Sequence, residues 1–200
     1  PVHFTTGASA AVTHARFSAV LSGLKILSYL VELCIKKGAD LIVSEASATV
    51  FPIAQEIVRS AYQRLNILDK FTTETVQYVG GQFKGRIVGN IERYNVATNI
   101  YIGSIGATAW MIGEVAARIG ATQIAGTPND SNMVVLIATS DYTLLGDEQY
   151  AAGATLSGQP SDLASVLTFD YFKLLTIALM LLVFISTMFG NSWIVNILRL

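Results

Sequence analysis

Lys36-Lys37-Gly38-Ala39-Asp40-Leu41-Ile42-Val43-Ser44-Glu45 is the stretch on which the reading of the fold turns. A helical run ends on two lysines and a glycine, a short apolar segment follows, and a polar turn closes it. Lysines suit the carboxyl end of a helix dipole, and glycine supplies the left-handed conformation at which helices stop. A brief apolar run between such signals reads as a buried strand. The punctuation recurs at Arg118-Ile119-Gly120-Ala121, followed by Thr122-Gln123-Ile124-Ala125 and Gly126-Thr127. A third copy passes through Ala138-Thr139-Ser140-Asp141 into Tyr142-Thr143-Leu144-Leu145 and then Gly146-Asp147-Glu148.

Working outward, residues 75–79 before Gly80-Gly81 and residues 99–102 before Gly103-Ser104-Ile105-Gly106 fit as two more strands. Helices are predicted near 13–37, 50–65, 83–93, 105–119, 129–138 and 147–156. Short strands alternating with longer helices require right-handed crossovers and a sheet covered on both faces. The expected fold is therefore α/β: a doubly wound, largely parallel sheet of about five strands in a Rossmann-like three-layer sandwich. No fixed repeat period points to a solenoid.

The chain then changes character. From Leu174 to Phe189 it reads LLTIALMLLVFISTMF without a charge, and with its flanks it reaches the roughly 20 residues that a bilayer core requires. Lys173 can snorkel to one interface, Tyr171 and Trp193 supply aromatic belts, and Leu174, Leu182 and Phe189 face hydrocarbon. The competing reading is a buried core helix or an amphipathic hairpin. The expected organisation is an α/β domain over 1–160, a linker over 161–170, and a transmembrane anchor with a short tail over 171–200.

Composition agrees with a membrane setting. The chain is 52% hydrophobic and 14% charged, against about 25% charged in average soluble domains. The deficit persists without the C-terminal run, which implies surface buried against copies of the chain, other subunits or lipid. A net charge of −1 with scattered basic residues excludes a nucleic-acid footprint. The single Cys34 reads as a small core residue and favours a cytoplasmic α/β domain. Pro1, in place of an initiator Met, raises the expectation of upstream sequence. The helix near 13–37 carries an apolar surface broader than one sheet face needs, so part of it is a candidate for docking.

In an open parallel sheet, ligands bind beyond the carboxyl ends of the strands. That edge collects Ser44, Glu45, Gly80, Gly81, Gly103, Ser104, Gly126, Thr127, Asn129, Asp130, Gly146, Asp147 and Glu148. Gly103-Ser104-Ile105-Gly106 has two readings, an anion-binding turn at a helix start or a tight turn where small residues permit close packing. Glu45, Asp147 and Glu148 either meet to hold a hard cation or complement helix dipoles. Asn129 or Asp130 is expected to cap a helix. His3 and His14 lack partners at zinc spacing. Ser44 has no nucleophile elbow and no downstream histidine, which leaves a hydrolase triad unsupported. No catalytic residue and no cofactor are therefore assigned.

Gln123-Ile-Ala-Gly-Thr-Pro128, the segment Ser140-Asp-Tyr-Thr-Leu-Leu-Gly-Asp-Glu-Gln-Tyr-Ala-Ala-Gly-Ala154 and the closing apolar helix resemble a family of uncharacterised bacterial membrane proteins, from about His14 to the anchor. The resemblance implies a membrane-bound α/β domain without an assigned activity, and upstream sequence. The functional expectation is a membrane-anchored, non-catalytic module, crossing the bilayer once, that forms a homo-oligomer or joins other membrane subunits. The alternative is an enzyme or sensor for a nucleotide-like or anionic ligand at the strand carboxyl edge, and a transporter accessory domain is a third option.

Overall fold

The computed structural model describes residues 1–7, 17–106 and 108–188. Strands and helices alternate as β1 (Val2–Gly7), α1 (Phe17–Lys37), β2 (Leu41–Glu45), α2 (Val50–Arg64), β3 (Val76–Tyr78), α3 (Phe83–Arg93) and β4 (Thr98–Ser104). The chain continues as α4 (Ala109–Arg118), β5 (Thr122–Thr127), α5 (Asp130–Thr139), β6 (Tyr142–Leu145), α6 (Asp147–Ser157) and α7 (Pro160–Met188). All strand pairs are parallel. They form a six-stranded sheet in the order β3-β2-β1-β4-β5-β6, so the doubly wound α/β expectation holds.

The five expected strands are present, and the sixth, β1, lies at the centre. It pairs with β2 on one side, Val2 opposite Leu41, and with β4 on the other, Val2 opposite Thr98. The chain winds outward from β1 to β3, then returns past it to β4 and winds the other way. That reversal puts a topological switch point between β1 and β4.

Alternation along the strands splits the core in two. Phe4, Val43 and Ile102 face one cluster with Leu24 and Leu27 of α1 and Val58 of α2. Tyr101 and Ala125 face the other with Ile87 and Ile91 of α3, Ile112 of α4 and Leu136 of α5. Each fully buried large aliphatic side chain contributes about 1.5–3 kcal/mol. Most of the apolar surface of α1, Cys34 included, is core. Leu21, Tyr29 and Leu33 remain exposed on it.

Close backbone approach sets where small residues are required. A Cβ on Gly23 would lie 2.3 Å from the Ile102 carbonyl oxygen, so α1 rests directly on β4. At the β1/β4 seam, a Cβ on Gly103 would come within 2.4 Å of the Thr6 carbonyl oxygen, and Gly103 has φ +150.

The chain divides into two compact units, Pro1–Gly158 and Gln159–Leu200. Gly158, left-handed at φ 65, closes α6, and α7 starts at Pro160, where proline's missing N–H costs nothing. Residues 161–170, expected as a linker, form the first turns of this continuous helix. At 29 residues α7 is about 43 Å long, more than the roughly 30 Å hydrocarbon core. None of its residues is buried. Among the described residues, α1 and α7 have the length and composition to cross a membrane, and α1 is mostly buried.

Two glycine substitutions separate packing from propensity. Gly23→Ala is expected to destabilise by about 1–3 kcal/mol through overpacking. Gly89→Ala, exposed in mid-α3 with nothing within 4 Å of its added Cβ, is expected to stabilise by about 0.5–1 kcal/mol. Urea unfolding with an unchanged m-value reads both.

Candidate functional site

The carboxyl ends of the strands bring together Thr6 and Gly7 of β1, Ser44 and Glu45 of β2, Gly103 and Ser104 of β4, and Gly126 and Thr127 of β5. Burial rather than exposure marks this edge. Ser44, Glu45, Ser104 and Thr127 are all buried, as is Thr6. Glu45 turns toward β1, where its Oε1 accepts the Thr6 N–H at 3.3 Å and its Oε2 lies 2.5 Å from Thr6 Oγ1. Gly103 leans on the same Thr6 from the opposite side. Thr6 is thus the hinge between two candidate segments that the sequence kept apart.

Gly103 meets the packing reading, because its bare Cα is what lets β4 pass β1. Gly106 faces open space, and α4 begins later than expected, at Ala109. Gly126 sits between Leu144 and the Gln149 amide. Glu45, Asp147 and Glu148 do not assemble. Glu148 Oε2 accepts the Leu145 N–H at the start of its own helix, and no group of three side chains able to hold a metal ion occurs among the described residues. Asn129 is the cap of α5, accepting from Ser131 N–H at 3.3 Å.

The other face of β2 carries a polar chain that the sequence concealed. Asn90 of α3 donates through Nδ2 to Ser44 Oγ at 3.0 Å and to Gln77 Oε1 at 2.9 Å. His3 Nε2 lies 3.0 Å from Ser44 Oγ, and His3 Nδ1 lies 2.8 Å from Asn99 Oδ1. Burial pushes the His3 imidazole down to about 4, partly offset by the Asn99 hydrogen bond, so the ring is neutral at neutral pH. A neutral ring donating through Nδ1 to Asn99 and accepting the Ser44 hydroxyl at Nε2 satisfies every link.

Ser44, His3 and Asn99 therefore touch in the sequence of a nucleophile, a base and an orienting group. All three are sealed at 0% exposure, and Asn90 already occupies the serine oxygen, so no acyl group reaches it. The arrangement locks α3 to the sheet. His3 alone carried a signal, a polar residue between Val2 and Phe4, and it becomes readable only once β1 is known to be central.

On α7, Tyr171, Leu174 and Leu182 are exposed, and Lys173 pairs with Asp170 at 3.6 Å. His14, Phe189 and Trp193 lie outside the described residues.

Two of the buried titratable groups, Glu45 and His3, bias stability in opposite directions. Burial pushes the Glu45 carboxyl from 4.5 up to about 8, against the lowering effect of its Thr6 hydrogen bonds. The folded state then holds a proton that the unfolded chain releases, so this contribution is complete below pH 4.5 and is lost as pH rises to about 8. His3, depressed from 6.5 to about 4, contributes fully above pH 6.5 and loses its contribution as pH falls toward 4. The slopes oppose each other between 4.5 and 6.5, and Glu45 acts alone above. Glu45→Gln is expected to remove a loss of about 1.4 kcal/mol per pH unit in that upper window. Urea unfolding at pH 6.5 and pH 8 checks it, and parallel behaviour of variant and parent would refute it.

No curated protein and no solved structure matches the chain. A family model does, over residues 1–198, and its description is a domain of unknown function, DUF6754. With nearly its whole length matched, this chain belongs to the DUF6754 family.

Proposed function

We propose that this chain is a membrane-anchored, non-catalytic α/β module that self-assembles or serves as a structural subunit of a larger membrane complex. Apolar surface left without cover carries the reading. Helix α5, DSNMVVLIAT, buries only Leu136, while Val134 and Ile137 are 74% and 59% exposed. Beside it, α4 exposes Trp110 and Met111, and β6 exposes Tyr142. A water-facing helix normally turns polar residues outward, and uncovered apolar surface of this kind marks an interface. The occupant we favour is a second copy of the chain.

The same argument applies to α7. Its leucines, phenylalanines and isoleucines are exposed along its length, which supports a single bilayer span. The lone buried thiol of Cys34 supports a cytoplasmic α/β domain, where thiols stay reduced.

Native mass spectrometry of the full chain in nanodiscs tests the assembly. The parent is expected to be multimeric and a Val134→Glu, Ile137→Lys variant to shift to monomer with its unfolding transition intact. A monomeric parent without a partner subunit would refute self-assembly.

A second reading, an enzyme or sensor for an anionic or nucleotide-like ligand at the strand carboxyl edge, is favoured by the switch point between β1 and β4. Thermal-shift screening with nucleotides and sugar phosphates tests it, because a ligand at a hundred times its dissociation constant adds about 2.7 kcal/mol. A flat response would remove its support.

A further inference from the structure

We propose that the cavity between α4 and the end of α5 binds a small, soluble organic ammonium ion through Gln123 Oε1, Asp141, Glu114 and the Trp110 ring. The proposal goes beyond both readings above. The cavity lies where β5 and β6 begin, at the sheet edge opposite the switch point, and its ligand is a cation rather than an anion.

The cavity measures about 610 Å³, within the roughly 300–1,000 Å³ of small-molecule sites. α4 supplies one wall through Trp110, Gly113 and Glu114, and the end of α5 supplies another. Gln123, near the start of β5, and Asp141, just before β6, complete the lining.

Gln123 is the observation that points to a ligand. It lines the cavity and is only 4% exposed. Its Nε2 donates to the Gly113 carbonyl oxygen at 3.0 Å, which settles which end of the amide is the nitrogen. The other end, Oε1, is buried without a hydrogen-bond partner. Buried acceptors are nearly always satisfied, and an amide oxygen is satisfied only by a donor. A ligand N–H at Oε1 completes the amide.

The charges select an ammonium among donors. Glu114 and Asp141 line the cavity, and no Lys, Arg or His does among the described residues. Asp141 is held in place, since its Oδ2 accepts the Gln123 N–H at 2.8 Å and its own N–H donates to the Gln123 carbonyl at 3.0 Å. Arg118 reaches Glu114 at 2.8 Å and Glu92 at 3.9 Å, so one guanidinium is shared by two carboxylates. α5 ends at Thr139 with an extended Ser140 after it, which adds the negative end of a helix dipole. Trp110, 54% exposed, stands one turn before Glu114 on the same side of α4, and an indole face attracts a cation within about 6 Å. An aromatic face, two carboxylates and an unfilled acceptor together describe a primary alkylammonium, with its N–H donors toward Gln123 and Asp141 and its hydrocarbon toward Trp110 and Met111.

Isothermal titration of the full chain in phosphatidylcholine nanodiscs with n-butylammonium chloride tests the site, with tetramethylammonium as the cation that has no N–H to give. Saturable binding of butylammonium is expected, about tenfold tighter than that of tetramethylammonium. Asp141→Asn should weaken it about tenfold, the loss of one charge-assisted contact, and Trp110→Ala about threefold. Gln123→Met, of similar volume, should abolish the preference for butylammonium, while Glu74→Gln, exposed and outside the cavity, should leave binding unchanged. If Gln123→Met loses its unfolding transition, the two variants at exposed positions, Asp141→Asn and Trp110→Ala, decide. Equal binding of the two cations, binding that survives both Asp141→Asn and Trp110→Ala, or no binding at all would overturn the site. Native mass spectrometry with butylammonium keeps the result separate from assembly, because the oligomeric state of the parent, whatever it is, should not change. Dissociation of an oligomer on adding butylammonium would give the cavity to a basic side chain of the second copy and overturn the soluble ligand.

Discussion

The seam between β1 and β4 is the constraint on which the rest of the molecule depends. Two strands that never follow one another in the chain must lie side by side, and where Gly7 meets Ser104 and Gly103 meets Thr6 their backbones come closer than a Cβ on either glycine would allow. That contact fixes β1 as the central strand. With β1 in place, β2 and β3 wind to one side and β4, β5 and β6 to the other. The helices then fall into two layers, each with its own apolar cluster. Glu45 and α1 both report to this seam, the first through Thr6 and the second through Gly23 against Ile102.

The outer strands were legible because each repeats one physical sentence: a helix, a glycine or polar stop, a short apolar run, a turn. β1 was not legible, because Val2-His-Phe-Thr-Thr-Gly7 has no helix before it and alternates polar with apolar residues, although it is buried on both faces. Its polar side chains are satisfied by neighbours distant in sequence: His3 by Ser44 and Asn99, Thr6 by Glu45. Missing β1 therefore also meant missing the Ser44, His3 and Asn99 contact. The dismissal of Ser44 as a nucleophile stands on burial rather than on the order of residues. Gly103 was placed correctly at a strand end, but a glycine that avoids a carbonyl and one that admits a phosphate have the same letter. Asn129 was readable because capping is local. Residues 161–170 read as a linker because Gly158-Gln159-Pro160-Ser161 looks like a break, yet that break only separates α6 from α7, with Gly158 ending one helix and Pro160 opening the next.

The distribution of polarity is partly inverted. Buried positions hold His3, Ser44, Glu45, Asn99, Gln123 and Gln149, while large apolar side chains stand exposed on α5 and along α7. The interior exceptions are mostly reconciled by hydrogen bonds within the fold, Gln149 to the Ala19 carbonyl at 2.7 Å and Gln123 to the Gly113 carbonyl at 3.0 Å among them. The exterior exceptions have no such reconciliation among the described residues. The low charge content of the sequence has its structural counterpart here, and we propose that the surface lacking Lys and Glu is surface that another molecule covers. For α7, which carries no charge from Leu174 to its end at Met188, lipid is the covering we infer, and for α5, apolar beside polar neighbours, a protein.

Flotation on a density gradient with phosphatidylcholine liposomes, comparing the full chain with residues 1–158, tests the central claim most directly. The account requires the full chain to float and to resist carbonate extraction, while residues 1–158 stay at the bottom of the gradient and unfold cooperatively. A full chain that remains soluble without lipid or detergent, or a 1–158 fragment that cannot fold without the helix, would contradict it.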